Sequence, residues 1–142
     1  MDEDGNLYGT TFSGGNLAAC FAGCGTVFEL TKSGGKWLVR ILHAFSGSDG
    51  ENVAGSVVFD REGNLYTTAA SGGGNGFNGL ILRLTPGAGG TWRETVLHKF
   101  AWPSTDDGAG PYAGVILREG ERFGTTLGGG ASNVGAVVSI SH

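Results

Sequence analysis

Charge is scarce in this chain. Lys, Arg, Asp and Glu together make up 15% of its 142 residues, against about a quarter in an ordinary soluble domain. The 9 basic residues are scattered and the formal net charge is −4, so no Lys/Arg cluster meets a phosphate backbone and nucleic acid is excluded as a partner. Long apolar runs are missing as well: none approaches the roughly 18 residues that cross a bilayer as a helix. The opening Met1-Asp2-Glu3-Asp4 is acidic and leads straight into a repeated motif, which predicts no signal peptide and a fragment beginning mid-unit. Helical periodicity is lacking over any stretch of about ten residues; only Leu17–Ala22 has the makings of a single turn, and glycines flank it. No Gly-x-Ser-x-Gly nucleophile elbow occurs.

Glycine, by contrast, is abundant at 29 residues, while proline is held to 3. The glycines cluster between apolar runs in a chain that is 39% hydrophobic, so they read as turns rather than as disorder. One stretch organises the chain because it occurs three times: Gly5-Asn6-Leu7-Tyr8-Gly9-Thr10-Thr11, Gly63-Asn64-Leu65-Tyr66-Thr67-Thr68, and the looser Gly120-Glu121-Arg122-Phe123-Gly124-Thr125-Thr126. Their first glycines are 58 and then 57 residues apart, a period that belongs to propellers and other repeat arrays.

Three further runs recur in fixed order. Gly25–Thr31 is echoed by Gly79–Thr85 and Gly135–Ser141; Trp37–Phe45 by Trp92–Phe100; Ala54–Asp60 by Ala113–Glu119. All are rich in β-branched and aromatic residues and bounded by Gly, Asp, Asn and Ser, as strands are. Four short antiparallel strands per unit of about 55 residues make one blade of a β-propeller. The predicted fold is therefore all-β, a partial propeller-like array of about two and a half blades, with units at approximately 1–53, 54–112 and 113–142 in one domain. Blades narrow toward the axis, which places the small residues of Ala54–Asp60 innermost, then Asn64–Ala70, then Gly79–Thr85, with the bulky Trp92–Phe100 outermost. On that outer strand, strict alternation puts Trp92, Glu94, Val96, His98 and Phe100 on one face. His43 and His98 are expected to be structural, satisfied beside Trp and Phe. The chain then holds three strands of one blade, four of the next and three of a third, too few to close. Either further blades belong to the same polypeptide, the preferred reading, or copies self-associate through open strand edges.

Short connections (Lys32–Gly35, Asp60–Gly63, Pro86–Gly90) fall at one end of the strands and long ones at the other. Long loops on a rigid scaffold are where binding usually resides, so the long-loop end is the candidate face. Cys20 and Cys24, the only cysteines, sit there. A local disulfide is the preferred reading and implies an oxidising compartment; free thiols or a metal site are the alternatives, the latter short of ligands. Gly74-Asn75-Gly76-Phe77-Asn78-Gly79 matches a dinucleotide fingerprint and nearly a calcium nonapeptide, but a strand follows where a helix is needed, and tandem copies are missing. Asp49 and Asp107, each followed by glycine, are turn formers first, with calcium as the alternative use of repeated carboxylates. Trp102 in an inserted loop, and Tyr112 at its end, complete the candidate ligand-binding set of Asp49, Trp102, Asp107 and Tyr112. No catalytic residue and no assigned metal ligand emerge.

The combination of Gly-Asn-Leu-Tyr-Gly-Thr-Thr, Cys-Gly-Thr-Val-Phe-Glu-Leu, Leu-His-x-Phe and Gly-x-Asp-Gly resembles the GloVer tandem-repeat proteins of bacteria, over nearly the whole chain. Thr67 stands where that pattern has glycine, Leu80-Ile81-Leu82 where it has Thr-Val-Phe, and Arg122-Phe123 where it has Leu-Tyr. The resemblance implies a propeller-like repeat at the cell surface or secreted, with varied anchors and no assigned activity. The expected function is a non-catalytic binding or scaffold module for a glycan, peptide or protein. Its rival is a calcium-dependent propeller hydrolase or lactonase, which needs inward carboxylates where this chain has Val53-Ala54-Gly55 and Tyr112-Ala113-Gly114. A structural surface repeat without a ligand is the third reading.

Overall fold

The computed structural model describes residues 1–74, 78–101, 103 and 107–141. Its strands in chain order are β1 (Leu7–Thr11), β2 (Thr26–Ser33), β3 (Lys36–Ala44), β4 (Val58–Phe59), β5 (Leu65–Ala69), β6 (Leu80–Pro86), β7 (Trp92–Lys99), β8 (Gly108–Ala109), β9 (Ile116–Arg118), β10 (Glu121–Thr125), β11 (Gly128–Gly129) and β12 (Val137–Ile140), with one 3-10 turn at Ala88–Gly90. They form three antiparallel sheets in sequential order, β1-β2-β3, β4-β5-β6-β7 and β9-β10-β12, and a two-stranded ribbon β8-β11. No barrel closes among the described residues. The strand content per sheet, three, four and three, follows the repeat spacing.

The sheets pack face to face, with the four-stranded one in the middle. Leu65, Ala69, Leu80, Leu82 and Leu84 of the middle sheet join Cys24, Val27, Leu42 and Phe45 of the first unit in one core. Tyr66, Ile81 and Phe100 join Val115, with Leu117, Val138 and Ile140 packed alongside, in a second core. Alternate side chains of β5 and β6 thus enter opposite cores, which is why all of β5 and the Leu80-Ile81-Leu82 run are buried, with neither face open to solvent. Leu38, Val39 and Ile41 on β3 have no such neighbour and are exposed.

Neighbouring sheets are also hydrogen-bonded at their first strands. Thr10 Oγ1 donates to Gly55 O (3.1 Å), and 58 residues on Thr68 Oγ1 donates to Ala113 O (3.0 Å), each spanning 45 residues. Thr67 Oγ1 donates to Gly55 O as well (2.9 Å). These hydroxyls take carbonyls that a ladder would use. The expected strand Ala54–Asp60 is accordingly reduced to Val58–Phe59, and the segment before it is irregular. There Gly55 and Gly114 meet backbone to backbone: a Cβ on Gly55 would lie 3.1 Å from Gly114 Cα.

The outer strands depart from strict alternation. A β-bulge interrupts the β6–β7 register between Ile81 and Leu82, so that Leu82 faces Val96 but Ile81 faces His98. The equivalent bulge occurs between Val27 and Phe28, opposite Ile41 and His43. A bulge adds one residue and turns the chain. The five-residue face expected on β7 is therefore split: Trp92 and Val96 pack toward the first sheet, whereas Phe100 enters the second core.

Candidate functional site

At the long-loop end the chain is laced together. Asn52 N donates to Cys24 O (3.0 Å) and Ala70 N to Asn52 O (3.0 Å); one unit later Gly110 N donates to Asn78 O (2.9 Å) and Leu127 N to Gly110 O (3.0 Å). The Glu51–Ser71 bridge has its counterpart in the β8–β11 ribbon. The loop that ends each of the first two units is thus tied to the unit that follows. Gly25, Gly79 and Gly135 make this possible, at φ of 101°, 86° and 96°. They occupy the left-handed region, and a Cβ would strike the carbonyl of Thr11, Ala69 or Thr126 respectively.

Cys20 and Cys24 form a disulfide with Cα atoms 5.3 Å apart, closed over a turn in which Gly23 N donates to Cys20 O (2.9 Å). Cys24 is fully buried in the first core, so the bridge fastens the loop to the sheet. A shallow depression of about 470 Å³ beside it is lined by Cys20, Gly47, Ser48, Glu51 and Gly72.

The two candidate aspartates occupy equivalent places. Asp49 Oδ1 accepts from Ser46 N (2.7 Å) and Ser46 Oγ (2.9 Å), and its Oδ2 lies 3.0 Å from His43 Nε2. Asp107 Oδ2 accepts from Ala101 N (2.8 Å), and its Oδ1 accepts from Gly108 N (2.9 Å) and lies 3.1 Å from His98 Nε2. Each histidine ring stands edge-on to a phenylalanine, His43 on Phe45 at 4.5 Å and His98 on Phe100 at 4.7 Å. Turn capping is thus what both carboxylates do here. The pairing with histidine was not read from the sequence, although His and Asp repeat together at offsets of 55 and 58. Burial alone would raise the Asp49 carboxyl, but the bonds from His43 and Ser46 outweigh it and hold it at about 2. Asp2, Asp60 and Asp107 are lowered in the same sense.

This has a measurable consequence. A carboxyl whose folded pKa lies below its unfolded value stabilises the fold above the unfolded pKa, and that contribution fades as pH falls toward the folded one. Stability is therefore expected to fall steeply between about pH 4 and pH 2, read as the urea midpoint at successive pH values. Asp49→Asn should flatten that limb; an unchanged limb would mean that Asp49 titrates alike in both states.

Tyr112, the other described candidate, is half exposed and sits beside Gly110 and Leu127. Trp102 lies outside the described residues, as do Asn75, Gly76 and Phe77 of the glycine-rich loop. Apolar side chains that composition did not single out are exposed on these loops: Phe12, Leu17, Phe21, Leu127 and Val134. The positions that a central calcium would need, Val53-Ala54-Gly55 and Tyr112-Ala113-Gly114, bear no carboxylate, and Asp107 joins no group of three metal-ligating side chains among the described residues.

The short-turn end carries a second repeated arrangement. Asp2 accepts from Asn6 N (2.8 Å) and Asn6 Nδ2 (2.9 Å), and its Oδ2 lies 2.9 Å from the Tyr8 hydroxyl. Asp60 binds Asn64 and Tyr66 in the same way. Tyr8 also lies 2.6 Å from Glu29 Oε1, a buried carboxylate that pairs with Arg40 Nε at 2.8 Å. Burial, then the Glu29 and Asp2 carboxylates, push the Tyr8 hydroxyl above its usual range. The third unit lacks the aspartate and brings Arg122 instead, whose Nη2 donates to the Tyr66 hydroxyl (3.0 Å) with the guanidinium 4.9 Å from the ring centroid. Beside it a cleft of about 780 Å³ opens between the turns at Asp60–Glu62 and Leu117–Arg122.

Among the described residues no helix is long and apolar enough to cross a membrane. No curated protein and no solved structure matches the chain. The model of the Gloeobacter/Verrucomicrobia repeat matches residues 1–142 in full, and with three stacked units joined by the same bonds, the chain belongs to that repeat family.

Proposed function

We propose that the chain is a non-catalytic, extracytoplasmic repeat module whose sheets stand around an axis as propeller-like blades, and that its long-loop end receives a glycan, peptide or protein. The observation that carries this reading is the exposure of Phe12, Leu17, Phe21, Tyr112, Leu127 and Val134 on loops that main-chain bonds tie to one another. Rings held on pre-ordered loops lose little freedom on binding and suit sugar faces or apolar peptide side chains. The repeated His, Asp and Tyr groups hold turns and sheets together, which suits a scaffold. A disulfide in an exposed loop fits an oxidising compartment. Further blades of the same polypeptide would complete the ring.

A glycan array and a peptide-display library, each probed with the immobilised chain, test the reading. Phe21→Ala with Tyr112→Ala is expected to weaken any selected binder by about 100-fold, since a buried aromatic anchor carries about 1–2 kcal/mol or more. Trp37→Ala, at the far edge of the first sheet, should leave it unchanged. Binding that survives the loop double variant and is lost with Trp37 would move the site to the outer strands.

A further inference from the structure

We infer that the junction between the first and second sheets holds a divalent cation of zinc character, bound by His43, Asp49 and Glu94. A ring nitrogen of His43, an Asp49 carboxylate oxygen and a Glu94 carboxylate oxygen all lie within 4.8 Å of one another, and His43 Nε2 is the nitrogen that meets Asp49. His43 and Asp49 come from the end of β3 and the loop after it, and Glu94 from β7 of the next sheet. The side chains of His43 and Asp49 are about four-fifths buried, at 20% and 23% exposure.

A second observation, independent of the clustering, concerns Glu94. Its Oε1 is sealed from solvent and has no hydrogen-bond partner. A buried carboxylate oxygen without a donor is costly, and it faces another carboxylate across the junction. A cation between them removes both penalties. The repeat supplies a third observation: at an offset of 55 residues Glu94 corresponds to Val39, which is exposed on the open side of β3. An acid therefore stands where the outer strand packs against a preceding unit's His–Asp pair, and an apolar residue where it does not.

The donor set favours zinc-type ions over calcium. One imidazole and two carboxylates make a mixed nitrogen and oxygen site with three protein ligands, leaving a fourth position for water, whereas calcium takes six to eight oxygens. Metal–ligand bonds of about 2.0–2.2 Å put the ligand atoms about 3.4 Å apart, so the His43 Nε2–Asp49 Oδ2 pair, 3.0 Å apart, would open slightly while the flexible Glu94 side chain draws in. The Ser46 bonds to Asp49 Oδ1 would orient that carboxylate, leaving Oδ2 for the ion. An ion here would clamp β3 to β7 and set the angle between successive sheets.

The test is titration of EDTA-treated chain with zinc chloride, followed by calorimetry and by thermal unfolding. One equivalent is expected to bind, with Tm rising by about 8 °C at a free zinc concentration about 100 times Kd. Glu94→Gln, which keeps the volume and leaves the His–Asp pair intact, should weaken binding by about 100-fold, as much as the loss of a strong outer-shell partner or more. His43→Gln should do the same. His98→Gln should change nothing, because the His98–Asp107 pair has no third ligand among the described residues. Zinc binding that Glu94→Gln leaves intact, binding lost with His98→Gln, or calcium bound in preference to zinc would each overturn the assignment, as would no binding at all.

Discussion

Gly55→Ala is expected to lower the free energy of unfolding by about 3 kcal/mol, the upper end of what one inserted methyl costs where nothing can move. Gly55 is not in the left-handed region, so its backbone conformation suits alanine and the effect is purely one of space. The new Cβ would overlap Thr68 Oγ1 and lie 3.1 Å from both Thr68 N and Gly114 Cα. Two of these neighbours are main chain, which yields only if a whole segment shifts. The third is the hydroxyl that donates to Ala113 O, so pushing it aside also loosens the second junction. Gly63→Ala is the contrast: its φ is +80° but nothing lies within 4 Å of the added methyl, and only the conformational cost of about 1 kcal/mol applies. Equilibrium urea unfolding separates the two. Equal losses would mean that the first strands of successive units do not touch.

Phe45→Ala should cost more, about 4 kcal/mol. Phe45 is fully buried in the core between the first two sheets, its ring against the edge of His43 and 3.0 Å from where a Cβ on Gly50 would lie. Removing it leaves a cavity under a loop that is fixed at both ends, with little scope for collapse. Trp37 is the larger aromatic, but it lies at the outer edge of β3 and is 48% exposed; Trp37→Ala should cost less than about 1 kcal/mol. Should the order be reversed, with Trp37 the costlier, the apolar core would not lie between the sheets. The urea midpoint at constant m-value is the measurement.

These contrasts mark what was legible in the chain and what was not. Strand identity and order came through because each run carries its own signal: glycine at the bends, β-branched residues between them, and a 57- to 58-residue recurrence of the Gly-Asn-Leu-Tyr stretch. The pairing of Cys20 with Cys24 was legible because four residues of separation bring the sulfurs together locally. The bulge at Leu42 and Leu97 was not. Which residue is squeezed out depends on the register of the partner strand, and one strand's alternation pattern carries no information about it. Shortening of Ala54–Asp60 to two strand residues was hidden for a similar reason, since Gly55 O is taken by two threonine hydroxyls, Thr10 of the preceding unit and Thr67 of its own. At the loop end, Asp49 and Asp107 read correctly as turn formers, but their histidines lie 6 and 9 residues away, across an insertion that spoils the count. Glu94 was invisible as a neighbour of His43 and Asp49, because it arrives from the next sheet.

The junction formed by Thr10 with Gly55 reappears, atom for atom, where Thr68 meets Ala113. One side of each unit is therefore already a match for the other side of its copy, a head-to-tail relation rather than a self-complementary one. An in-frame duplication of about 57 codons would insert a sheet whose threonine-to-carbonyl contacts are already provided, while side chains peculiar to one junction, such as Arg122 on Tyr66, would have to adapt.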